Sequence, residues 1–90
     1  MTGASGAPAG HRLTLVTRDR CHLCDVAHEV LARVAADAGV GWDVVDVDAD
    51  PALAPEYGDR VPVVLLDGRE HSYWRVDEAR LRRDLAGRPG

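Results

Sequence analysis

Cys21 and Cys24, in the run Cys21-His22-Leu23-Cys24, are the two thiols of this 90-residue chain. A loop closed between residues three apart is too short for a disulfide to add much by restricting the unfolded chain. In a reducing compartment so close a pair is seldom a staple, and thiol–disulfide exchange is the chemistry that fits it. In that exchange one thiolate attacks a substrate disulfide and forms a mixed disulfide. The second thiol then attacks this intermediate and releases the reduced product. The alternative is a pair of buried, inert thiols.

The elements around the pair favour chemistry. Arg12 to Thr17 is apolar and β-branched and reads as a strand. After Arg18, Asp19 and Arg20, a helical period begins, with Leu23, Ala27, Val30, Leu31, Val34 and Ala38 on one face and Gly39 and Gly41 as the stop. Cys21 therefore falls just before a helix, where unpaired N–H groups and the helix dipole favour an anion such as a thiolate. Cys24 follows one turn later and less exposed. Arg18 and Arg20 add attraction to a thiolate, while Asp19 and Asp25 oppose it. His22 stabilises a thiolate if protonated and does little if it is simply solvated; both readings stand. Leu23 is read as a packing residue.

Further along, Trp42 to Val47 reads as a second strand, parallel to the first because a helix connects them. Asp50 and Pro51 look like a helix start, kept short by Pro55 and Gly58. Val61 to Leu66 is an apolar strand, and Asp67-Gly68 turns it into a hairpin with Arg69 to Trp74. Asp77 caps a last helix that ends near Gly87 and buries Ala79, Leu81 and Leu85. Met1 to Gly10, rich in small residues, reads as a disordered tail before one domain over 11–87.

Composition narrows the function classes. A chain with 46% hydrophobic and 29% charged residues is that of a soluble globular protein. It has no apolar run long enough for a bilayer, and its first residues lack the pattern of a secretory signal, so a cytoplasmic location is expected. The net charge of −4 and the lack of a basic stripe argue against nucleic acid as a partner. No membrane partner is expected, and the chain is read as a monomer. Every cationic Lys/Arg position is arginine, and Lys, Asn, Ile and Phe are absent, the imprint of a GC-rich genome. Leu, Val and Ala must therefore build the core.

The order strand, helix, strand, short helix, strand, strand, helix, with C-x-x-C at the first strand–helix junction and X-Pro before the third strand, resembles the thioredoxin superfamily. In its brevity the chain is similar to short bacterial glutaredoxin-like proteins, over Arg12 to about Leu85. The resemblance implies a thioredoxin fold, an α/β architecture (β-α-β-(α)-β-β-α) with a four-stranded mixed sheet flanked by helices. It implies a thiol–disulfide oxidoreductase acting through Cys21 and Cys24 on disulfides of proteins or small thiols. It also implies a cis Val61–Pro62 bond facing the dithiol, with the Val61 backbone open to an extended substrate; from the residues alone, a trans proline at a strand start is equally allowed. Arg18 matches a basic residue that glutaredoxins carry three positions before the first cysteine. No resident cofactor is implied, and glutathione or an analogous small thiol is the expected co-substrate. Two stretches depart from the pattern: Arg60-Val61-Pro62 replaces Thr-Val-Pro, and Tyr73-Trp74-Arg75-Val76-Asp77 replaces a Gly-Gly turn followed by an acidic residue. The reductant is left open between glutathione, another small thiol and a thioredoxin-reductase system. The rival functions are a zinc site completed by His11, His22, His28 or His71, an iron–sulfur cluster bridged by Cys21 and a small thiol, and a low-turnover module docking through Arg80, Arg82 and Arg83.

Overall fold

A computed structural model of the protein describes residues 11 to 87; the tail expected over Met1–Gly10 lies outside the described residues. Strand β1 (Arg12–Thr17) leads into helix α1 (His22–Ala38), and β2 (Gly41–Asp46) returns beside β1. A single-turn helix α2 (Ala54–Tyr57), strands β3 (Val63–Leu66) and β4 (Arg69–Tyr73), and helix α3 (Glu78–Ala86) follow. The sheet has four strands in the order β2-β1-β3-β4. β2 runs parallel to β1, β3 antiparallel to β1, and β4 antiparallel to β3. This is the mixed, helix-flanked sheet expected from the sequence.

Alternation along β1 explains the two layers. Leu13 and Leu15 point to one face, where they pack with Val64, with Ala27, Leu31, Val34 and Ala35 of α1, and with Leu81 and Leu85 of α3. Val16 points to the other face and packs with Val47 and Val63 beneath Leu53 and Tyr57 of the α2 segment. Full burial of each Leu or Val side chain contributes about 1.5–3 kcal/mol before entropy is charged against it. Having both faces covered fixes the strand register, because a one-residue slip would exchange the two sets.

Several sequence expectations shift. The buried stripe of α1 is Cys24, Ala27, Leu31, Val34 and Ala35, so Leu23 and Ala38 lie off its centre and are exposed. Ala79 is likewise exposed, since α3 is anchored by Leu81 and Leu85, one turn apart. The segment at Asp50 makes a turn rather than a helix: its carboxylate accepts the Ala52 N–H at 3.0 Å, and helix begins only at Ala54. Pairing in the third strand begins at Val63, after Pro62, which has no N–H to donate.

Local signals set the element ends. Gly39 closes α1 in the left-handed region (φ 70) and donates its N–H to Ala35. Asp67 and Gly68 both adopt positive φ, as a two-residue hairpin turn requires. Asp77 caps α3 by accepting the Arg80 N–H. Glu78 joins the two long helices, accepting from Arg33 at 3.0 Å and from Arg82 at 2.9 Å. The two arginines hold the Glu78 carboxyl below its ordinary range. These pairs are exposed to solvent, which screens them, so they orient the helices more than they stabilise them.

His11 forms a clasp at the sheet end away from the cysteines. Its buried ring bonds the Gly87 carbonyl at 2.9 Å and Asp67 at 2.6 Å, and Asp67 also accepts the Arg12 N–H at 2.7 Å. The bond to Gly87, and then the one to Asp67, raise the His11 pKa above the ordinary 6.5. Burial pushes Asp67 up, but His11 and the Arg12 N–H outweigh it, so its pKa lies below the ordinary 3.8. The histidine contribution is complete below pH 6.5 and is lost as pH rises through the raised value. The aspartate contribution is present above pH 3.8 and is lost as pH falls through the depressed value. His11→Leu is therefore expected to lower stability by about 1–2 kcal/mol near pH 5, and by progressively less toward pH 8. Melting curves of both proteins across that range check it; a difference that grows toward pH 8 would contradict the clasp.

Candidate active site

The antiparallel register sets Val16 opposite Val63, so the exit of β1 and the entry of β3 share one sheet end. Val47 reaches the same end by donating its N–H to the Thr17 carbonyl at 2.8 Å, and Trp74 by donating to the Pro62 carbonyl at 2.8 Å. The topology thus gathers the start of α1, the Val61–Pro62 segment and the end of β4 around the cysteines. The Val61–Pro62 bond is cis.

Arg20 adopts a positive φ of 57, which turns the chain out of β1. Cys21 is then the N-cap of α1, with extended backbone (φ −115, ψ 105). Its Sγ occupies the place of a capping oxygen and accepts the Cys24 N–H at 3.1 Å. The two sulfurs are joined in a disulfide with the Cα atoms 5.1 Å apart. The two cysteines differ in access: Cys24 is 4% exposed, at the edge of the core, while Cys21 is half-buried. An incoming sulfur therefore meets Cys21 first.

The other expected site residues fall into distinct places. His22 is the exposed first residue of α1. Arg18 pairs with Asp48 at 3.2 Å and donates to the Gly58 carbonyl at 3.2 Å, so its guanidinium ties β1 to the segment that crosses under the sheet. Its charge is largely answered there. Val61 is half-buried against the second core cluster, and Pro62 is buried.

Trp74, read from the sequence as the end of the strand that begins at Arg69, lies just past the end of β4 at Tyr73. It stands 52% exposed with φ 65, a conformation a bulky residue rarely adopts. Arg75 donates its N–H to the Tyr73 carbonyl at 2.7 Å, closing a three-residue γ-turn around Trp74. Three contacts hold this strained backbone: that bond, the Trp74 N–H to Pro62, and the indole N–H to the Asp59 carbonyl at 3.4 Å. Tyr73 meets the indole edge-on, with ring centroids 5.2 Å apart. The available signal was the replacement of a glycine turn by Tyr73-Trp74. Trp74, Arg75 and Val76 form one wall of a groove of about 320 Å³ whose other wall is Leu23, Val26 and Val30 of α1.

The zinc alternative finds no ligand set: the described residues contain no cluster of three or more His, Cys, Asp or Glu able to hold a metal. His11 is engaged by Asp67, His71 by Asp84 at 2.7 Å, and His28 lies against the Trp42 ring. No helix among the described residues is long and apolar enough to cross a membrane.

The family signature described as Glutaredoxin-like domain (DUF836) matches residues 12–86. The chain belongs to this glutaredoxin-like family. The glutaredoxin-like chain is 49% identical over 80 residues to the uncharacterized protein Rv0508 of Mycobacterium tuberculosis, a match covering 83% of this chain and 82% of that one. It is 47% identical to the protein XcR50 of X. campestris, whose crystal structure superposes with a TM-score of 0.67 over 86% of this chain and 99% of that one. A mutant thioredoxin of Halobacterium salinarum, 29% identical, gives a TM-score of 0.63 over 83% of this chain and 71% of that one. A Fasciola hepatica thioredoxin, 21% identical, gives 0.64 over 87% and 80% respectively, which speaks to the fold alone. The fold is the α/β thioredoxin fold. A glutaredoxin-like thioredoxin fold carrying a C-x-x-C pair is consistent with redox function.

Proposed function

We propose that this glutaredoxin-like protein is a thiol–disulfide oxidoreductase that reduces disulfides or mixed disulfides of proteins or small thiols. The observation that carries the reading is the seat of Cys21: its sulfur is the N-cap of α1, receives a backbone N–H, and is the more accessible of the pair. In the reduced protein the same N–H and the helix dipole stabilise a thiolate there. That thiolate attacks a substrate R–S–S–R′, forming the Cys21–S–S–R bond as R′S⁻ leaves. Cys24 gives up its proton and attacks the Cys21 sulfur; the Cys21–Cys24 bond forms and RS⁻ leaves to take up a proton. Two electrons have passed from the dithiol to the substrate. A thiol reductant, either a small thiol or a thioredoxin-reductase system, returns them and regenerates the dithiol. A reducing compartment such as the cytoplasm suits this direction of flow.

The remaining residues take supporting parts. Val61, ahead of the cis Pro62, offers backbone to an extended substrate chain beside the sulfurs. Arg18 acts as a brace for the loop that carries Cys21, through Asp48 and Gly58. His22 lies in solvent at the helix start, where its protonated form adds to the stabilisation of the thiolate.

The test is turnover of a small mixed disulfide with each reductant in turn: glutathione, a different small thiol, and a thioredoxin-reductase system. Sustained reduction with at least one of them is expected. No turnover with any, by protein whose dithiol is shown to be reduced, would end the enzymatic reading.

A further inference from the structure

Arg60 stands where the glutaredoxin pattern has threonine, directly ahead of Val61-Pro62, and the proposed chemistry leaves it without a part. Its side chain is tied at several points. Nη2 of the guanidinium donates to the Glu56 carbonyl at 2.9 Å and to the Glu70 carboxylate at 3.0 Å. The guanidinium carbon lies 6.0 Å from the centre of the Tyr57 ring, within reach of a cation–π contact. The Arg60 backbone N–H donates to the Tyr57 carbonyl at 2.9 Å. One side chain thus joins the last turn of α2 to strand β4, and both members of the Arg60–Glu70 pair are half-buried.

The backbone beside this tie is held everywhere but at one residue. The Asp59 carbonyl accepts the Trp74 indole N–H at 3.4 Å, and the Pro62 carbonyl accepts the Trp74 backbone N–H at 2.8 Å. The Val61 side chain packs on the second core cluster. The Val61 N–H and C=O, by contrast, have no backbone partner among the described residues. A free donor and acceptor on a fixed frame form an unfinished strand edge, which an extended chain completes. Such groups bind well only if they are already in place, because ordering them on contact weakens association. The α2 segment cannot supply that order alone, being one turn with no buried residue and no side-chain cap. Arg60 supplies the anchor.

We propose that Arg60 is a positioning residue: by clamping the end of α2 to Glu70 of β4, it fixes the Val61 backbone for an extended chain and so favours disulfides carried on a polypeptide over small ones. The proposal rests on the oxidoreductase reading, because the chain that Arg60 helps to hold carries the disulfide that Cys21 attacks.

The test compares two substrates. Pre-reduced protein is mixed with excess disulfide, and single-turnover rates are read against concentration. One substrate is the disulfide-linked dimer of Gly-Ala-Cys-Ala-Gly; the other is bis(2-hydroxyethyl) disulfide, which has no peptide group. Arg60→Met keeps an unbranched stem over Tyr57 and removes the donors. It is expected to raise the half-saturating concentration of the peptide disulfide about tenfold and to leave its limiting rate within about twofold. Both parameters of the small disulfide should be unchanged. Arg60→Lys, which returns a cation to Glu70, should keep the peptide value within about threefold of wild type. A purely structural role would slow both substrates together. Equal effects on the two disulfides, an unchanged peptide value, or a lysine variant no better than the methionine one would overturn the positioning role. If the wild type reduces neither disulfide, the oxidoreductase reading falls. Arg60 is then judged by NMR of the oxidised protein with the unreactive peptide Gly-Ala-Ser-Ala-Gly. A shift of the Val61 amide, with binding about tenfold weaker in Arg60→Met, supports the clamp, and no shift there refutes it.

Discussion

Cys21→Ser is expected to abolish disulfide reduction, by at least about a thousandfold, because a serine hydroxyl is not ionised near neutral pH and does not exchange with disulfides. The substitution isolates chemistry from stability. Serine is among the best N-cap residues, and its Oγ replaces the sulfur that accepts the Cys24 N–H at 3.1 Å. The reduced wild type and the variant should therefore melt within a few degrees of each other. Cys24→Ser should behave differently. Its first step is intact, so it should accumulate a covalent adduct with the substrate thiol on Cys21, visible as a mass increase that a reductant removes. Substantial turnover by Cys21→Ser, or adducts on Cys24 in the wild type, would contradict the proposed order of attack.

Leu31→Ala should cause the largest loss of stability of any single truncation in α1. Leu31 is fully buried between the sheet and α3, packed with Leu13, Leu15, Val64 and Leu81. Truncations of this kind cost about 2–5 kcal/mol, against a total of about 5–15 kcal/mol for a typical domain. Val26→Ala, on the 46%-exposed groove side of the same helix, should cost less than about 1 kcal/mol. Urea unfolding of both variants in the reduced state gives the comparison. The loss should also reach the site. Cys24 is shielded by the same face of α1 that Leu31 anchors, so the Leu31→Ala protein should expose it to alkylation more often as the fold opens. Similar costs for the two truncations would mean that α1 is not seated as described.

Much of this arrangement is legible in the sequence, for physical reasons that differ from place to place. The β1–α1 junction is readable because a β-branched run gives way to a helical period at one point, and the cysteines sit at that change. Asp67-Gly68 and Asp77 declare themselves because turn and cap geometry admit few residue types. The phase of α1 was less well defined, since Leu23 and Val30 fit one apolar stripe as well as Cys24, Ala27 and Leu31 fit another, and only the sheet chooses between them. The region over 48–58 was harder still, because Asp50 can begin a helix or close a turn, and Pro51, Pro55 and Gly58 leave little helix to form. Arg18 illustrates a different difficulty. Its spacing from Cys21 suggests a partner for the thiolate, yet Asp48 and Gly58, thirty and forty residues away, hold its guanidinium. Trp74 reads as the end of a strand, since no local propensity predicts a tryptophan at positive φ; tertiary bonds to Pro62 and Asp59 impose that conformation.

Titration of the two thiols in the reduced protein, by rate of iodoacetamide labelling against pH with each site read by mass spectrometry, bears most directly on the helix-seated sulfur. Cys21, stabilised by the helix start, should ionise below the ordinary thiol value of about 8.5 and react first, while Cys24 lags at every pH up to neutrality. Two thiols that both titrate near 8.5, or labelling of Cys24 ahead of Cys21, would show that the start of α1 does not activate the sulfur it holds.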